Sequence, residues 1–182
     1  MKKIKENADY FLYNCELFKE LQKYGSVHII GSYRMDMMAW NDLDIYVENT
    51  NMSLEKLYGL STFIIKNFQP TWYEAKEEVW DGKKVWFQGF ETMMTGELWN
   101  FDIWFFDKDK IDNTIQYCDM IAAKATNKQK EIIVEIKKVL IDMDLYSFEK
   151  YRSVDVYKAV TEMNIADIDE FLSKYDINKY RD

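Results

Sequence analysis

The first apolar residues of the chain recur every three or four positions. They form one stripe of a predicted amphipathic helix, which consists of Ile4, Ala8, Phe11, Leu12, Cys15, Phe18 and Leu21. Gly25 ends this helix. Beyond it, the β-branched run Val27–Ile30 stops at Gly31-Ser32. Residues 43–47 alternate apolar and polar, as a half-buried strand does. The pattern therefore predicts a helix followed by two strands.

The middle of the chain changes from helical to strand periodicity at its single proline. Ser53 is predicted to be the N-cap of a helix that runs to about Phe68, before Pro70. Antiparallel meander strands are then predicted, separated by turns at Asp81-Gly82 and Thr95-Gly96. Their ranges are 71–75, 79–80, 84–90 and 98–106.

Helical periodicity returns at Lys108 and continues through the rest of the sequence. An order of helix, two strands, helix, several strands and then only helices is typical of an α+β fold with a mixed sheet. We predict one catalytic domain over residues 1–107, and a C-terminal helical region over residues 108–182 that packs on it.

The charge and hydropathy of the chain restrict the molecules that it is expected to bind. The formal net charge is −8 and the pI is about 4.8, which disfavours binding to extended nucleic acid, since that binding depends on Lys and Arg contacts to phosphates. A negative protein attracts cationic small molecules, although acidity also serves solubility. Because no run of eighteen uncharged apolar residues occurs, we expect a cytoplasmic protein without a membrane partner.

Two carboxylates stand two positions apart at the head of the second predicted strand. Side chains at i and i+2 of a strand point to the same face, so Asp42 and Asp44 are expected side by side. Asp102 lies within the aromatic and aliphatic strand 98–106. A buried carboxylate costs several kcal/mol unless it is paired, hydrogen-bonded or bound to a metal.

A divalent cation is the expected partner of these three carboxylates, because no basic residue lies in either strand core. Oxygen ligands favour Mg²⁺, whose coordination shell substrate phosphates commonly complete. Two such ions, roughly 3.5–4 Å apart, stabilise phosphoryl displacement. The alternative is structural: Asp42 caps a turn, Asp44 faces solvent, and Asp102 is a strand-end charge.

Gly31-Ser32 follows the first predicted strand and precedes Asp42 by about ten residues. A glycine there permits a tight turn close to a ligand, and backbone N–H groups with a serine hydroxyl can hold phosphate oxygens. Arg34 is a further nucleotide-binding candidate, with a solvent-facing role as the alternative. Lys124, Lys128 and Lys130 could also meet a triphosphate, but resemble a solvated helix face.

These residues resemble the polymerase-beta-like nucleotidyltransferase superfamily, across about residues 26–106. Its pattern is a strand, Gly-Ser, a short helix, Asp-x-Asp heading a second strand, and a third acidic residue on a later strand. The resemblance implies that Gly31 and Ser32 hold the triphosphate of a nucleotide, ATP being favoured. It further implies that Asp42, Asp44 and Asp102 bind magnesium, and that Asp102 can serve as general base. Glu91, which follows the predicted strand 84–90, is the other candidate for that base.

Within that superfamily, the chain is similar to the small enzymes that adenylylate aminoglycosides or lincosamides. The similarity implies transfer of AMP to a hydroxyl of a small, cationic acceptor, and hence antibiotic resistance. The alternatives are a toxin-like transferase that modifies a protein or tRNA, and a non-catalytic nucleotide-binding module. Retention of all three acidic positions argues against the module. Two chains could share a cleft as a homodimer, although no residue indicates it.

Overall fold

A mixed sheet of five strands organises the molecule, whose computed structural model describes residues 2–177, apart from the side chain of Lys2. The strands are Ser26–Ile29 (β1), Asp42–Glu48 (β2), Trp72–Trp80 (β3), Lys83–Met94 (β4) and Glu97–Phe106 (β5). Their order in the sheet is β1-β2-β5-β4-β3. Only β2 and β5 are parallel neighbours; the other pairs are antiparallel.

Eight α-helices accompany the sheet within the described residues. Their bounds are Lys2–Asp9 (α1), Leu17–Leu21 (α2), Gly31–Arg34 (α3), Leu54–Phe68 (α4), Lys108–Lys124 (α5), Asn127–Asp142 (α6), Ser153–Met163 (α7) and Ile168–Lys174 (α8). The predicted N-cap of α4 is confirmed, since the Ser53 side chain accepts a hydrogen bond from the Lys56 N–H. None of these helices has the length and hydropathy needed to cross a bilayer.

The prediction of one continuous N-terminal helix was wrong. A π-helical turn over Tyr10–Asn14 follows α1, and Glu16 then adopts a left-handed conformation with φ of 60°. This break redirects the chain so that Leu17 and Leu21 reach the same core as the earlier apolar residues. Burial of both segments outweighs the helical periodicity that the sequence shows.

The prediction of two separate strands before the Asp81-Gly82 turn was also wrong. Strand β3 is continuous at the sheet edge and pairs with β4 along its whole length. Its charged residues, which resemble a loop in the sequence, pair on the surface: Lys76 contacts Glu78 at 2.8 Å, and Lys84 of β4 contacts Glu77 at 2.8 Å. Charges along an exposed edge also hinder pairing with other chains.

The two larger hydrophobic cores among the described residues lie on opposite faces of the sheet. The first joins α1, α2 and α4 to the inward residues of β2, β4 and β5. The second joins α5–α8 to the segment after β1, through Ile30, Met35, Met37 and Ala39. The C-terminal helices therefore pack directly beside α3. The domain boundary at residue 107 remains a prediction, and residues 178–182 of the predicted second region lie outside the described residues.

Gly25 provides a test of how tightly β1 is joined to β2. A Cβ at Gly25 would lie 2.1 Å from the carbonyl oxygen of Glu48, so Gly25→Ala must displace backbone. We expect it to lower the free energy of unfolding by about 1–3 kcal/mol in urea denaturation. The matched Gly59→Ala variant, inside α4 and 3.2 Å from the Tyr24 hydroxyl, should be neutral or stabilising. Equal effects would contradict the packing argument.

Candidate active site

Strand β2 carries the Asp-x-Asp pair on the face away from the first core. Its residues alternate between buried and partly exposed. Three apolar side chains have no exposed surface and point into the core: Leu43, Ile45 and Val47. Asp42 and Asp44 therefore point together to the opposite face.

The parallel pairing of β2 with β5 brings the third carboxylate to this face. Asp44 is the register partner of Asp102, and Asp42 is the partner of Asn100. The Asn100 amide donates a hydrogen bond from Nδ2 to Oδ1 of Asp42, 2.8 Å away. Three carboxylates thus occupy neighbouring positions on two adjacent strands, with one amide side chain among them.

Gly31 lies directly against Asp44. It begins α3 with φ of +61°, and a Cβ there would be 2.1 Å from Oδ2 of Asp44. The backbone N–H of the preceding Ile30 donates to the Asp44 carbonyl at 3.0 Å, which fixes this approach. Both the positive φ and the missing side chain are required, so glycine is needed here for two separate reasons.

The environment opposes ionisation of all three carboxylates. Burial, and then the charge of Asp102, raises the pKa of Asp44 to about 6. Burial and the charge of Asp44 raise the pKa of Asp42, against the lowering effect of the Asn100 hydrogen bond. Burial also raises the pKa of Asp102, with Glu74 and Glu91 adding to the shift. A cation that binds here would relieve this repulsion.

Lys137 of α6 is a buried cation beside the aspartates. Its side chain is 1% exposed, and its Nζ lies 5.6 Å from the ring centroids of both Tyr146 and Tyr157. Burial lowers the pKa of Lys137 to about 8, although the negative charges of Asp42 and Asp44 raise it. Lys137 therefore places positive charge beside the pair without requiring an exposed side chain.

Sequence reasoning missed Lys137 and Asn100. Lys137 falls four residues after Ile133 and three before Leu140, so it occupies the apolar face of α6. A lysine within an apolar stripe was the available signal. For Asn100 the signal was weaker, since it depends on the register of β5. The lysines that sequence reasoning did consider lie elsewhere; Lys124, for example, pairs with Glu162 at 3.0 Å.

The two remaining nucleotide-binding candidates have different surroundings. Ser32 is 7% exposed and follows Gly31 in α3. Arg34 points to α5, where its Nε and Nη2 donate to both carboxylate oxygens of Asp119 at 2.7 and 2.9 Å. Arg34 would have to leave this bidentate pair to reach a phosphate. Its nucleotide-binding role remains a prediction.

The fit of the three carboxylates to magnesium depends on how many protein ligands the ion needs. Among residues 2–177, no group of three or more His, Cys, Asp or Glu side chains is already arranged to hold a metal ion. Mg²⁺ usually binds through one or two carboxylates, waters and substrate phosphates rather than in an all-protein cage. Carboxylate oxygens on one face of two adjacent strands fit that requirement.

Comparison with solved structures identifies the fold. The Cid1 poly(U) polymerase bound to Mg and 3′-dATP matches with 17% identity and a TM-score of 0.58, over 87% of this chain and 48% of that chain. The polymerase core of TRAMP, an RNA surveillance complex, matches with 18% identity and a TM-score of 0.62, over 94% and 53%. The non-canonical poly(A) polymerase complex GLD-2–GLD-3 matches with 10% identity and a TM-score of 0.61, over 88% of this chain and 52% of that chain.

These matches confirm the predicted α+β fold of nucleotidyltransferase type, with helices flanking a mixed sheet. At these identities they concern the fold alone, and the chain spans about half the length of each matched protein. No family model and no curated protein matches the sequence.

The raised pKa of Asp44 predicts a stability gain when its charge is removed. An acid with a raised folded pKa destabilises the fold once it ionises. The penalty is small at about pH 4, where the folded state is protonated and the unfolded state only begins to ionise, and it is complete above about pH 6. In EDTA at pH 7.5, Asp44→Asn should therefore raise the free energy of unfolding by about 3 kcal/mol.

The same denaturation series at pH 4 should show this gain disappear. Asp112→Asn, which removes an exposed carboxylate on α5 paired with Lys108 at 2.6 Å, should change stability by less than about 0.5 kcal/mol at either pH. A destabilised Asp44→Asn variant at pH 7.5 would contradict the electrostatic account.

Proposed function

We propose that this chain transfers a nucleoside monophosphate from a magnesium-bound nucleoside triphosphate to an acceptor hydroxyl. The observation that carries the proposal is the register of Asp44 with Asp102, directly under the glycine that begins α3. Phosphoryl transfer depends on positioned phosphates and on neutralised charge. The site combines carboxylates for metal ions with a glycine turn and a buried lysine for phosphates.

In this proposal Asp42, Asp44 and Asp102 hold Mg²⁺, two ions being expected. Bound there, magnesium would neutralise charge on the triphosphate and on the departing pyrophosphate. The Asn100 amide holds the Asp42 carboxylate in place through its hydrogen bond. Their shared face on rigid strands keeps the carboxylates in one geometry before substrate arrives.

The triphosphate lies, in our proposal, along α3 and toward α6. At Gly31 no side chain covers the backbone, so a phosphate can approach it closely, and the next residue, Ser32, adds a hydroxyl group. Lys137 adds a positive charge that the surrounding tyrosine rings keep away from bulk solvent. Electrostatic attraction to a phosphate is stronger in such an environment than in water.

The reaction then follows from the positions of these groups. The acceptor oxygen forms a bond to the α-phosphorus while the bond from that phosphorus to pyrophosphate breaks. The acceptor proton passes to a carboxylate, for which we propose Asp102. Glu91 is the second candidate, since it lies close enough for its negative charge to raise the pKa of Asp102. A raised pKa makes a carboxylate a better proton acceptor near neutral pH.

We further propose ATP as donor, a small hydroxylated molecule as acceptor, and the cytoplasm as the place of action. A net charge of −8 disfavours a polynucleotide and is compatible with a cationic antibiotic such as an aminoglycoside or lincosamide. The second candidate is an RNA acceptor. The proteins with the same fold support it, since they include poly(U) and poly(A) polymerases.

An assay with α-labelled nucleoside triphosphates separates the two candidates. The label should appear on a small molecule from a panel of hydroxylated amines, and pyrophosphate should be released in proportion. Label on RNA or protein in a denaturing gel would instead identify the macromolecular alternative. Size-exclusion chromatography of the same sample tests the predicted homodimer.

Loss of the β2 carboxylates should abolish turnover without unfolding the protein. We expect Asp42→Ala and Asp44→Ala to reduce kcat by at least about 100-fold, because each removes an expected metal ligand. Pyrophosphate release measures the activity, and circular dichroism checks the fold. Asp109→Ala, in the first turn of α5, is the matched control. Wild-type turnover in either β2 variant would overturn the proposal.

Lys137→Met should weaken binding of the nucleotide. The variant keeps the long side chain in its apolar surroundings but removes the charge, so the KM for Mg-ATP should rise by roughly 10-fold or more, as expected for a lost charged hydrogen bond. Lys138→Met, on the exposed side of the same helix, is the control and should leave KM unchanged. If Lys137→Met and Lys138→Met had the same KM for Mg-ATP, Lys137 would not belong to the phosphate site.

A further inference from the structure

Helix α3, which begins with the Gly31-Ser32 turn, is too short to hold its own position. It has four residues, and an isolated helical turn of this length is unstable because helix nucleation is costly. Left-handed residues stand at its start and just beyond its end: Gly31 has a φ of 61° and Asp36 a φ of 57°. Such a segment keeps its conformation only where tertiary contacts hold it.

Helix α5 contacts α3 at both of its ends. The Arg34 guanidinium, at the C-terminal end, donates from Nε and Nη2 to the two carboxylate oxygens of Asp119, at 2.7 and 2.9 Å. The thiol of the neighbouring Cys118 lies against the N-terminal end and is almost fully buried. Burial raises the pKa of this thiol, and the backbone N–H of Gly31 opposes that shift. Two consecutive residues of α5 therefore engage the last and first residues of α3.

Helix α5 is a firm support for these contacts. It has 17 residues, and Asp107 caps its N-terminus by accepting a hydrogen bond from the Lys110 N–H at 2.9 Å. Cys118 and Ile121 bury its inner face in the second core. Contacts from α5 therefore fix α3 relative to the second core.

The geometry of the Arg34–Asp119 pair suits orientation better than overall stability. The two side chains are 33% and 55% exposed, and ion pairs so exposed contribute little to the free energy of unfolding. A bidentate pair nevertheless fixes both the distance and the plane of the guanidinium. Because Arg34 lies two residues after Ser32, this constraint acts on the turn that the triphosphate is expected to approach.

We propose that Asp119 is a positioning residue, which acts through Arg34 to hold the Gly31-Ser32 turn in the orientation that receives the triphosphate. The inference rests on the proposed function for the identity of that ligand. In this role Arg34 keeps its pair with Asp119 when the nucleotide binds. Direct contact of Arg34 with a phosphate would require the pair to break, so the two roles predict opposite effects of changing Asp119.

Binding of Mg-ATP, measured by calorimetry, distinguishes the two roles. Asp119→Ala and Arg34→Gln should each raise the Kd for Mg-ATP by roughly 3- to 10-fold, as for one lost bidentate pair. The double variant should be no weaker than either single variant, because both changes remove the same interaction. Asp119→Glu keeps the carboxylate and should recover most of the affinity. Melting temperatures should stay within about 2 °C of wild type.

Hydrogen exchange measures the turn itself, without any nucleotide. The backbone N–H groups of Met35 and Met37 donate to the carbonyls of Gly31 and Ser32 at 3.2 and 2.9 Å. Both should exchange roughly 3- to 10-fold faster in Asp119→Ala and in Arg34→Gln.

Glu162→Gln is the matched control for both measurements. It removes a different contact of α5, the 3.0 Å pair between Lys124 and Glu162 of α7, and leaves α3 untouched. Its Kd for Mg-ATP and its exchange rates should equal those of wild type.

The outcomes separate this inference from the proposed function. A lower Kd in Asp119→Ala together with a higher Kd in Arg34→Gln would overturn the inference and assign Arg34 to the phosphates. Additive losses in the double variant, or unchanged Kd and exchange in both single variants, would overturn it as well. If wild type does not bind Mg-ATP, the proposed function fails, and the exchange rates alone decide whether the pair holds the turn.

Discussion

Repulsion among carboxylates on adjacent strands is the constraint around which the rest of the site is arranged. Asp42, Asp44 and Asp102 share one face of the sheet, where burial raises the pKa of each. The fold tolerates this arrangement because Asn100 donates to Asp42 and because Lys137 supplies positive charge nearby. Stability given up in this way is typical of functional sites rather than of ordinary strands.

The surrounding elements serve to hold that unfavourable arrangement. The inward residues of β2, together with Trp99, Phe101, Ile103 and Phe105 of β5, are apolar and anchor the strands in the first core, so the outward faces of the two strands cannot rotate away from each other. On the other side, α6 belongs to the second core and delivers Lys137. The two cores therefore fix opposite charges from opposite directions, and in our proposal a metal-bound phosphate completes the balance.

The fold likeness and the surface chemistry give different information. A poly(U) polymerase and the polymerase core of TRAMP share the fold. The edge beside Asp42 in this chain is instead aromatic and acidic, with Trp40 and Glu91 facing one cleft. The fold alone does not give the acceptor, since it is shared by proteins with different substrates.

The sequence by itself determined the metal-ligand candidates and the fold class. Asp-x-Asp at the head of an alternating strand places two carboxylates on one face whatever the tertiary structure, and Gly31 is recognisable because a strand ends there. Only the tertiary structure decided which groups surround them. Register pairs Asp44 with Asp102, helix packing brings Lys137 to the pair, and Asp119 engages Arg34. These contacts join residues far apart in the chain, whereas local periodicity reports only what neighbours within a strand or helix do.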